Sequence, residues 1–137
     1  MHATASSAAN PRGMTVAGRI LIGLVTAFML FDGGAKVVKI EPVVKASEEM
    51  NIPINVMVGI GAVLVVSAIL YAIPKTVVLG AILLTGYLGG AICTHLRVGD
   101  PFIVQVVLGV VVWLGVYCRE DRLRALLPVR TSRPVGE

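Results

Sequence analysis

The chain has 137 residues, of which 56% are hydrophobic and only 15% are charged. Soluble domains carry roughly 25% charged residues, so this composition excludes an ordinary soluble protein and indicates a protein of the lipid bilayer. The formal net charge is +4. The basic residues lie beside apolar runs with no aromatic residues between them, so they do not predict nucleic acid as a partner.

The first predicted transmembrane helix covers residues 15–38 and follows a polar leader, residues 1–14, that we expect to be disordered. The uncharged run at residues 20–31 is too short to cross a bilayer, which needs roughly 20 residues. Apolar residues continue past Asp32, however, and Arg19 can extend its side chain towards the headgroups. The alternative interpretation of this stretch is a cleaved signal peptide.

Three further uncharged runs, residues 50–74, 76–96 and 101–118, are each close to the length of a membrane-spanning helix. They place transmembrane helices at about residues 53–73, 76–96 and 101–118. The predicted membrane domain therefore covers residues 15–128. We expect residues 129–137 to form a flexible basic tail, with anionic lipid as its partner.

The connection between the first two spans has the pattern of a short amphipathic helix. Pro42 stands where helices favour proline, in the first turn. Val43, Ala46, Ser47 and Met50 follow at the spacing of one helix face, and the charged residues of the segment point elsewhere. We expect this helix to lie on the outer surface of the membrane.

Short connections make consecutive helices antiparallel neighbours, so the predicted fold is all-α, an up-down bundle of four transmembrane helices. In the third helix, Gly86, Gly90 and Thr94 recur at every fourth position, a spacing that lets membrane helices approach closely. We expect this row to pack against another helix. Cys93 and Cys118 fall near opposite ends of the bundle, too far apart for a disulfide bond. No spacing of His and Cys predicts a metal site.

Basic residues are distributed unequally between the two ends of the predicted bundle. The end with both termini carries the larger set: Arg12, Arg19, Lys75, Arg119, Arg122, Arg124, Arg130 and Arg133. The opposite end carries Lys36, Lys39, Lys45 and Arg97. Cytoplasmic segments hold the excess of Lys and Arg, so we expect both termini in the cytoplasm and the protein in the cell (inner) membrane. Tyr71, near the cytoplasmic end of the second helix, is expected at the headgroups.

Five polar residues gather at the outer end of the predicted bundle: Asp32, Lys36, His95, Arg97 and Asp100. An intramembrane carboxylate is costly, so this cluster indicates a ligand-binding site, with Tyr87 on the same side of its helix as His95. Each residue also has a structural explanation. Asp32 and Lys36 can neutralise each other at i, i+4 spacing, and Arg97 can be an interfacial anchor. His95 can bond at a helix end, and Asp100 can cap the fourth helix, with Pro101 in its first turn.

The run GAILLTGYLGGAICTHLRVGDP, from Gly80 to Pro101, resembles the DoxX-like family of small bacterial membrane proteins. The resemblance covers about residues 16–128 and includes LFDGGAK, YAIPKT, Trp113 and REDRLRALLP. It implies a four-helix membrane protein with no assigned reaction, in a wider family that resembles membrane subunits of oxidoreductases, some of which pass electrons to quinone. Cys93 departs from the family pattern, in which a small residue such as Ala is expected. The resemblance therefore gives little support for a catalytic role of this thiol.

Three functions fit these observations. The first is a redox accessory protein that binds quinone or a similar apolar ring, with His95 and Arg97 donating hydrogen bonds and Asp32 relaying a proton. The second is a scaffold or assembly factor that packs against a membrane protein partner. The third is a transporter of a small solute or proton, which requires a homo-oligomer because four helices enclose little volume. The sequence does not decide whether the protein is an enzyme, and we expect no catalysis by this chain alone.

Overall fold

The computed structural model describes residues 11–126, and every regular element within them is a helix. In chain order these are α1 (Pro11–Val38), α2 (Glu41–Glu49), α3 (Ile54–Ala72), α4 (Val77–Val98), α5 (Ile103–Arg119) and α6 (Asp121–Leu126). The predicted all-α class is confirmed for this range. Most of the predicted leader and the whole of the predicted basic tail lie outside the described residues.

Helix α1 begins before the predicted first span. Residues 11–14 are helical, although the sequence predicts them as the end of a disordered leader. A long-range contact explains the difference, because Arg124 of α6 donates a hydrogen bond to Met14 Sδ over 3.5 Å. The first turn of α1 is therefore held against the last described helix.

Helices α1, α3 and α4 are long and apolar enough to cross a membrane. Helix α5 is also apolar but has only 17 residues. It begins at Ile103, after an N-cap residue, Phe102, that makes no side-chain cap bond. The prediction that Asp100 caps this helix, with Pro101 in its first turn, is wrong.

Asp100 instead belongs to the end of α4. Gly99 lies in the left-handed conformation, with φ 77°, which glycine adopts without steric cost. The Gly99 N–H donates to the Leu96 carbonyl over 3.3 Å, and the Asp100 N–H donates to the His95 carbonyl over 2.9 Å. These two bonds form a Schellman motif, which satisfies the last carbonyls of α4 before the chain turns towards α5.

Helices α1 and α4 each pack against both α3 and α5. A Cβ atom on Gly33 of α1 would lie 3.0 Å from the carbonyl oxygen of Gly61 in α3. One on Gly18 of α1 would lie 3.0 Å from the carbonyl oxygen of Gly115 in α5. Small residues thus let these backbones approach closely, as they do between helices in membranes.

The core between these helices is apolar, and Tyr71 lies within it. Tyr71 is fully buried, and its hydroxyl donates to the Val112 carbonyl of α5 over 2.8 Å. The other buried residues of the core are Ile22, Val25, Met29, Leu64, Ala68, Val77, Ala81, Leu84, Leu88, Val112 and Val116. Because its hydroxyl has a partner inside the protein, Tyr71 is a core residue and not the predicted headgroup anchor.

Candidate ligand-binding cleft

Residues of helices α1 to α5 line a cleft of about 1080 Å³. It lies towards the end of the molecule where α1 and α4 end and where α3 and α5 begin. Most of its lining is apolar, with Phe28, Met29, Met57 and Ile60 among the contributors. Pockets for drug-sized molecules have volumes of roughly 300 to 1,000 Å³, so the cleft has room for a ring compound.

Helix α2 is the predicted amphipathic helix, and its apolar face borders the cleft. Val43, Ala46 and Met50 line the cavity. Ser47 is buried, and its hydroxyl donates to the Ile52 carbonyl beyond the helix. The periodicity predicted the helix, but the face that we expected on the membrane surface covers a cavity of the protein itself.

The row Gly86, Gly90 and Thr94 lies on the cleft wall that α4 provides. A Cβ atom added at Gly86 or Gly90 would meet nothing within 4 Å among residues 11–126. The prediction that the row packs against another helix is therefore wrong for these two glycines within the described part of the chain. Helix α4 approaches α3 closely at Gly80 instead, where a Cβ atom would lie 2.2 Å from the Tyr71 backbone nitrogen. The missing side chains at Gly86 and Gly90 leave room for the cleft.

Three of the predicted site residues meet at the cleft: Asp32, Lys36 and Tyr87, hereafter the polar triad. Lys36 Nζ lies 2.5 Å from Asp32 Oδ1, at the predicted i, i+4 spacing. The Tyr87 hydroxyl donates to Asp32 Oδ2 over 3.0 Å. Lys36 Nζ also lies 6.0 Å from the centre of the Tyr87 ring, within reach of a cation–π interaction. Both carboxylate oxygens are engaged, and the charges of Asp32 and Lys36 cancel.

His95 lines the cleft, whereas Arg97 is exposed and does not. The His95 Nδ1 atom is buried and has no hydrogen-bond partner within residues 11–126. Asp100 Oδ2 lies 3.9 Å from it, a distance too long for a hydrogen bond. The structure therefore brings His95 to the same cleft as the polar triad and leaves Arg97 outside.

The part of the chain that forms most of the cleft matches a known protein family. A model of the DoxX-like family matches residues 20–116. The chain belongs to the DoxX-like family. This match confirms the resemblance carried by the sequence, and with the long apolar helices it makes the chain a membrane protein. No curated protein and no solved structure matches this DoxX-like chain.

Gln105 of α5 is a cleft residue of this DoxX-like protein that sequence reasoning missed. Its Oε1 atom is buried and has no hydrogen-bond partner in the described part of the chain. A signal was present, because Gln105 is the one amide in residues 101–118. Polar groups inside a membrane are costly and mark functional positions, but a count of charged residues alone passes over an amide.

The lining of the cleft in this DoxX-like protein is mainly apolar and includes a few polar residues. The polar triad is bonded within itself, whereas His95 Nδ1 and Gln105 Oε1 have no partner among the described residues. Such a site can hold an apolar ring and form hydrogen bonds with its polar substituents. The free thiols of Cys93 and Cys118 are not part of the lining.

Proposed function

We propose that this DoxX-like protein binds a quinone or a similar small apolar ring compound in the cleft. Its role is that of an accessory protein in a redox system, without catalysis by this chain alone. The observation that carries the proposal is a cleft of about 1080 Å³ with a mainly apolar lining and a few polar groups. In sites of this composition, apolar walls surround the ligand and the polar groups fix its orientation.

The polar triad favours a neutral ligand over a charged one. Lys36 neutralises Asp32, and Tyr87 engages the second carboxylate oxygen. A charged ligand would place an unpaired charge beside this neutral set, which is costly away from water. Since Arg97 lies outside the cleft, we propose His95 alone as the residue that bonds a ring carbonyl. Asp32, engaged at both oxygens, fixes Lys36 and Tyr87 in place and does not relay a proton.

We also propose that α1, α3, α4 and α5 cross the cell (inner) membrane in up-down order, with the cleft at the outer end. At 1.5 Å per residue, the 17 residues of α5 reach roughly 26 Å, close to a hydrocarbon core about 30 Å thick. The larger set of Lys and Arg belongs to the end that carries both termini, which supports their cytoplasmic location.

Thiol labelling tests this orientation. Lys45 of α2 and Asp121 of α6 have exposed side chains, 68% and 85% respectively. Lys45→Cys and Asp121→Cys are introduced separately into a Cys93→Ser/Cys118→Ser background. An impermeant maleimide added to intact cells is expected to label Lys45→Cys only, and permeabilised cells are expected to show both labels. Labelling of Asp121→Cys from outside would reverse the proposed orientation.

Ligand retention tests the proposed function. Purified wild-type protein in mild detergent is expected to carry an apolar small molecule that mass spectrometry detects. Gly86→Leu places a side chain into the cleft, where a Cβ atom meets nothing within 4 Å, so the protein should fold and lose that molecule. Gly89→Leu is the matched control, because Gly89 is equally open but lines a separate cleft between α4 and α5.

The two other functions predict different outcomes of this experiment. A scaffold or assembly factor carries no small molecule but retains a membrane protein partner, which Gly86→Leu or Gly90→Leu releases. A transporter shows solute or proton flux in liposomes that Asp32→Asn abolishes. Retention of the same small molecule by wild type and Gly86→Leu alike would contradict binding in the cleft.

A further inference from the structure

We infer that the cleft opens sideways into the membrane through a gap between α3 and α4, and that an acyl chain of a phospholipid lies in this gap. The gap is bordered by the exposed apolar residues that the two helices contribute to the cleft lining: Val56, Gly59, Val63, Ile82, Leu83, Gly86 and Gly90. The inference rests on the proposed crossing of the membrane by α3 and α4. It goes beyond the proposed ring compound, whose binding it does not require.

Helices α3 and α4 touch at one end and separate towards the other. At Gly80, near the connection of the two helices, a Cβ atom would lie 2.2 Å from the Tyr71 backbone nitrogen. At Gly59, Gly86 and Gly90 a Cβ atom would meet nothing within 4 Å among the described residues. The gap is therefore closed next to the α3–α4 connection and open farther along both helices.

The side chains that border the gap face the surroundings of the protein. Val63 of α3 is 61% exposed and Ile82 of α4 is 54% exposed, although both line the cleft. Both helices are long and apolar enough to cross a membrane, so these side chains meet lipid rather than water. The cleft is thus continuous with the hydrocarbon of the bilayer at the gap.

The chemistry of the gap favours hydrocarbon as its occupant. All of the residues that border the gap are apolar. A bound water needs about two to four polar partners, which these side chains do not supply. An empty gap would lose the dispersion contacts of both walls. An acyl chain supplies those contacts and needs no hydrogen bond.

The length of the gap matches one leaflet of the bilayer. It extends over residues 56–63 of α3 and 82–90 of α4, roughly 10 Å and 12 Å at 1.5 Å per residue. One leaflet contributes roughly 15 Å of a hydrocarbon core about 30 Å thick. A membrane-spanning helix of a second copy, about 10–12 Å across, would have to pass Gly80, where the gap is closed. An acyl chain ends near the middle of the bilayer and fits the gap.

Tryptophan fluorescence tests the inference. Trp113 is the one tryptophan of the chain, so Trp113→Phe gives a background without indole. Ile60→Trp then places an indole at the gap, because Ile60 lines the cleft and is half-buried. Val66→Trp is the lipid-facing control on α3, since Val66 is exposed and outside the cleft. The full-length variants are reconstituted into vesicles of dioleoyl phosphatidylcholine or of its brominated form, whose bromine atoms quench indole on contact.

Brominated lipid is expected to quench Ile60→Trp at least half as strongly as Val66→Trp. Gly86→Leu fills the gap from α4 and should cut the quenching of Ile60→Trp by about half, because two groups cannot share one packed space. Gly89→Leu is the matched control, since Gly89 lines the separate cleft, and should leave the quenching unchanged. Leu83→Trp, on the opposite wall of the gap, is a second probe, and size-exclusion chromatography checks the folding of every variant.

Iodide, a quencher that stays in water, separates the other outcomes. Quenching of Ile60→Trp by iodide and not by brominated lipid would mean that water fills the gap, and would overturn the inference. Quenching by neither would mean that protein fills the gap, and would overturn it as well. Quenching by brominated lipid that Gly86→Leu leaves unchanged would place the lipid only around the protein, outside the gap. If a ring compound binds while the gap probe is not quenched, the inference fails and the proposed function stands.

Discussion

Gly80→Ala is expected to lower the free energy of unfolding by about 3 kcal/mol or more, because the contacts of the added methyl group would be shorter than at any other glycine that the structure describes. A Cβ atom at Gly80 would lie 2.2 Å from the Tyr71 backbone nitrogen and 2.4 Å from its Cα atom. These are backbone atoms of α3, so no rotamer change relieves the overlap. Helix α4 would have to move away from α3 at the contact that holds their connected ends together.

Gly86→Ala is the control for this prediction, since it makes the same chemical change on the same helix. A Cβ atom there meets nothing within 4 Å among the described residues. The free energy of unfolding of the variant should therefore lie within about 1 kcal/mol of the wild-type value. Denaturant titration in detergent, followed by circular dichroism, measures both variants. Equal losses at the two positions would contradict the arrangement in which α4 packs on α3 at Gly80 and lines a cleft at Gly86.

Asp32→Ala is expected to destabilise the protein by about 2 kcal/mol, because it leaves Lys36 and the Tyr87 hydroxyl without their carboxylate partner. The Lys36 side chain is only 14% exposed, and an unpaired charge in such a position is costly. The figure is below the range for fully buried pairs since the Asp32 side chain is 34% exposed. The double variant Asp32→Leu/Lys36→Met removes both charges and should recover most of the loss.

Glu41→Ala is the matched control for Asp32→Ala. Glu41 and Lys45 also form an ion pair at i, i+4 spacing, with 3.0 Å between Lys45 Nζ and Glu41 Oε1, but their side chains are 79% and 68% exposed. An exposed pair of this kind contributes about 0.5 kcal/mol or less. A loss for Glu41→Ala as large as that for Asp32→Ala, or a double variant less stable than both single ones, would contradict the account of the polar triad.

The sequence predicted the helices where apolar periodicity and breaking residues agree. The first helix ends at Val38, as expected, and Pro42 with its apolar spacing located α2. The segment Val-Gly-Asp-Pro was ambiguous, because the same residues suit the end of one helix or the start of the next. In the structure Gly99 adopts φ 77°, and the Asp100 N–H bonds the His95 carbonyl. Asp100 therefore belongs to the end of α4 and not to the start of α5.

The site was predictable only as far as local spacing determines it. The i, i+4 spacing of Asp32 and Lys36 predicted their contact, and the topology predicted that Tyr87 would share their end of the protein. What lies opposite a helix face is a tertiary property that one helix does not encode. For that reason the spacing of Gly86 and Gly90 was compatible with either a tight helix contact or an open cleft. In the structure α4 contacts α3 closely at Gly80, and open space lies beside Gly86 and Gly90.

A titration shows whether the cleft of this DoxX-like protein binds a small apolar ring compound. Purified wild type, Gly90→Leu and Gly89→Leu are titrated with a decyl-substituted quinone and the matching hydroquinone. Gly90 lines the proposed cleft and Gly89 the separate one, and both positions have open space for a side chain. We expect saturable binding by wild type, which Gly90→Leu weakens at least tenfold and Gly89→Leu leaves unchanged. Equal affinity in all three proteins, or no binding by wild type, would contradict it.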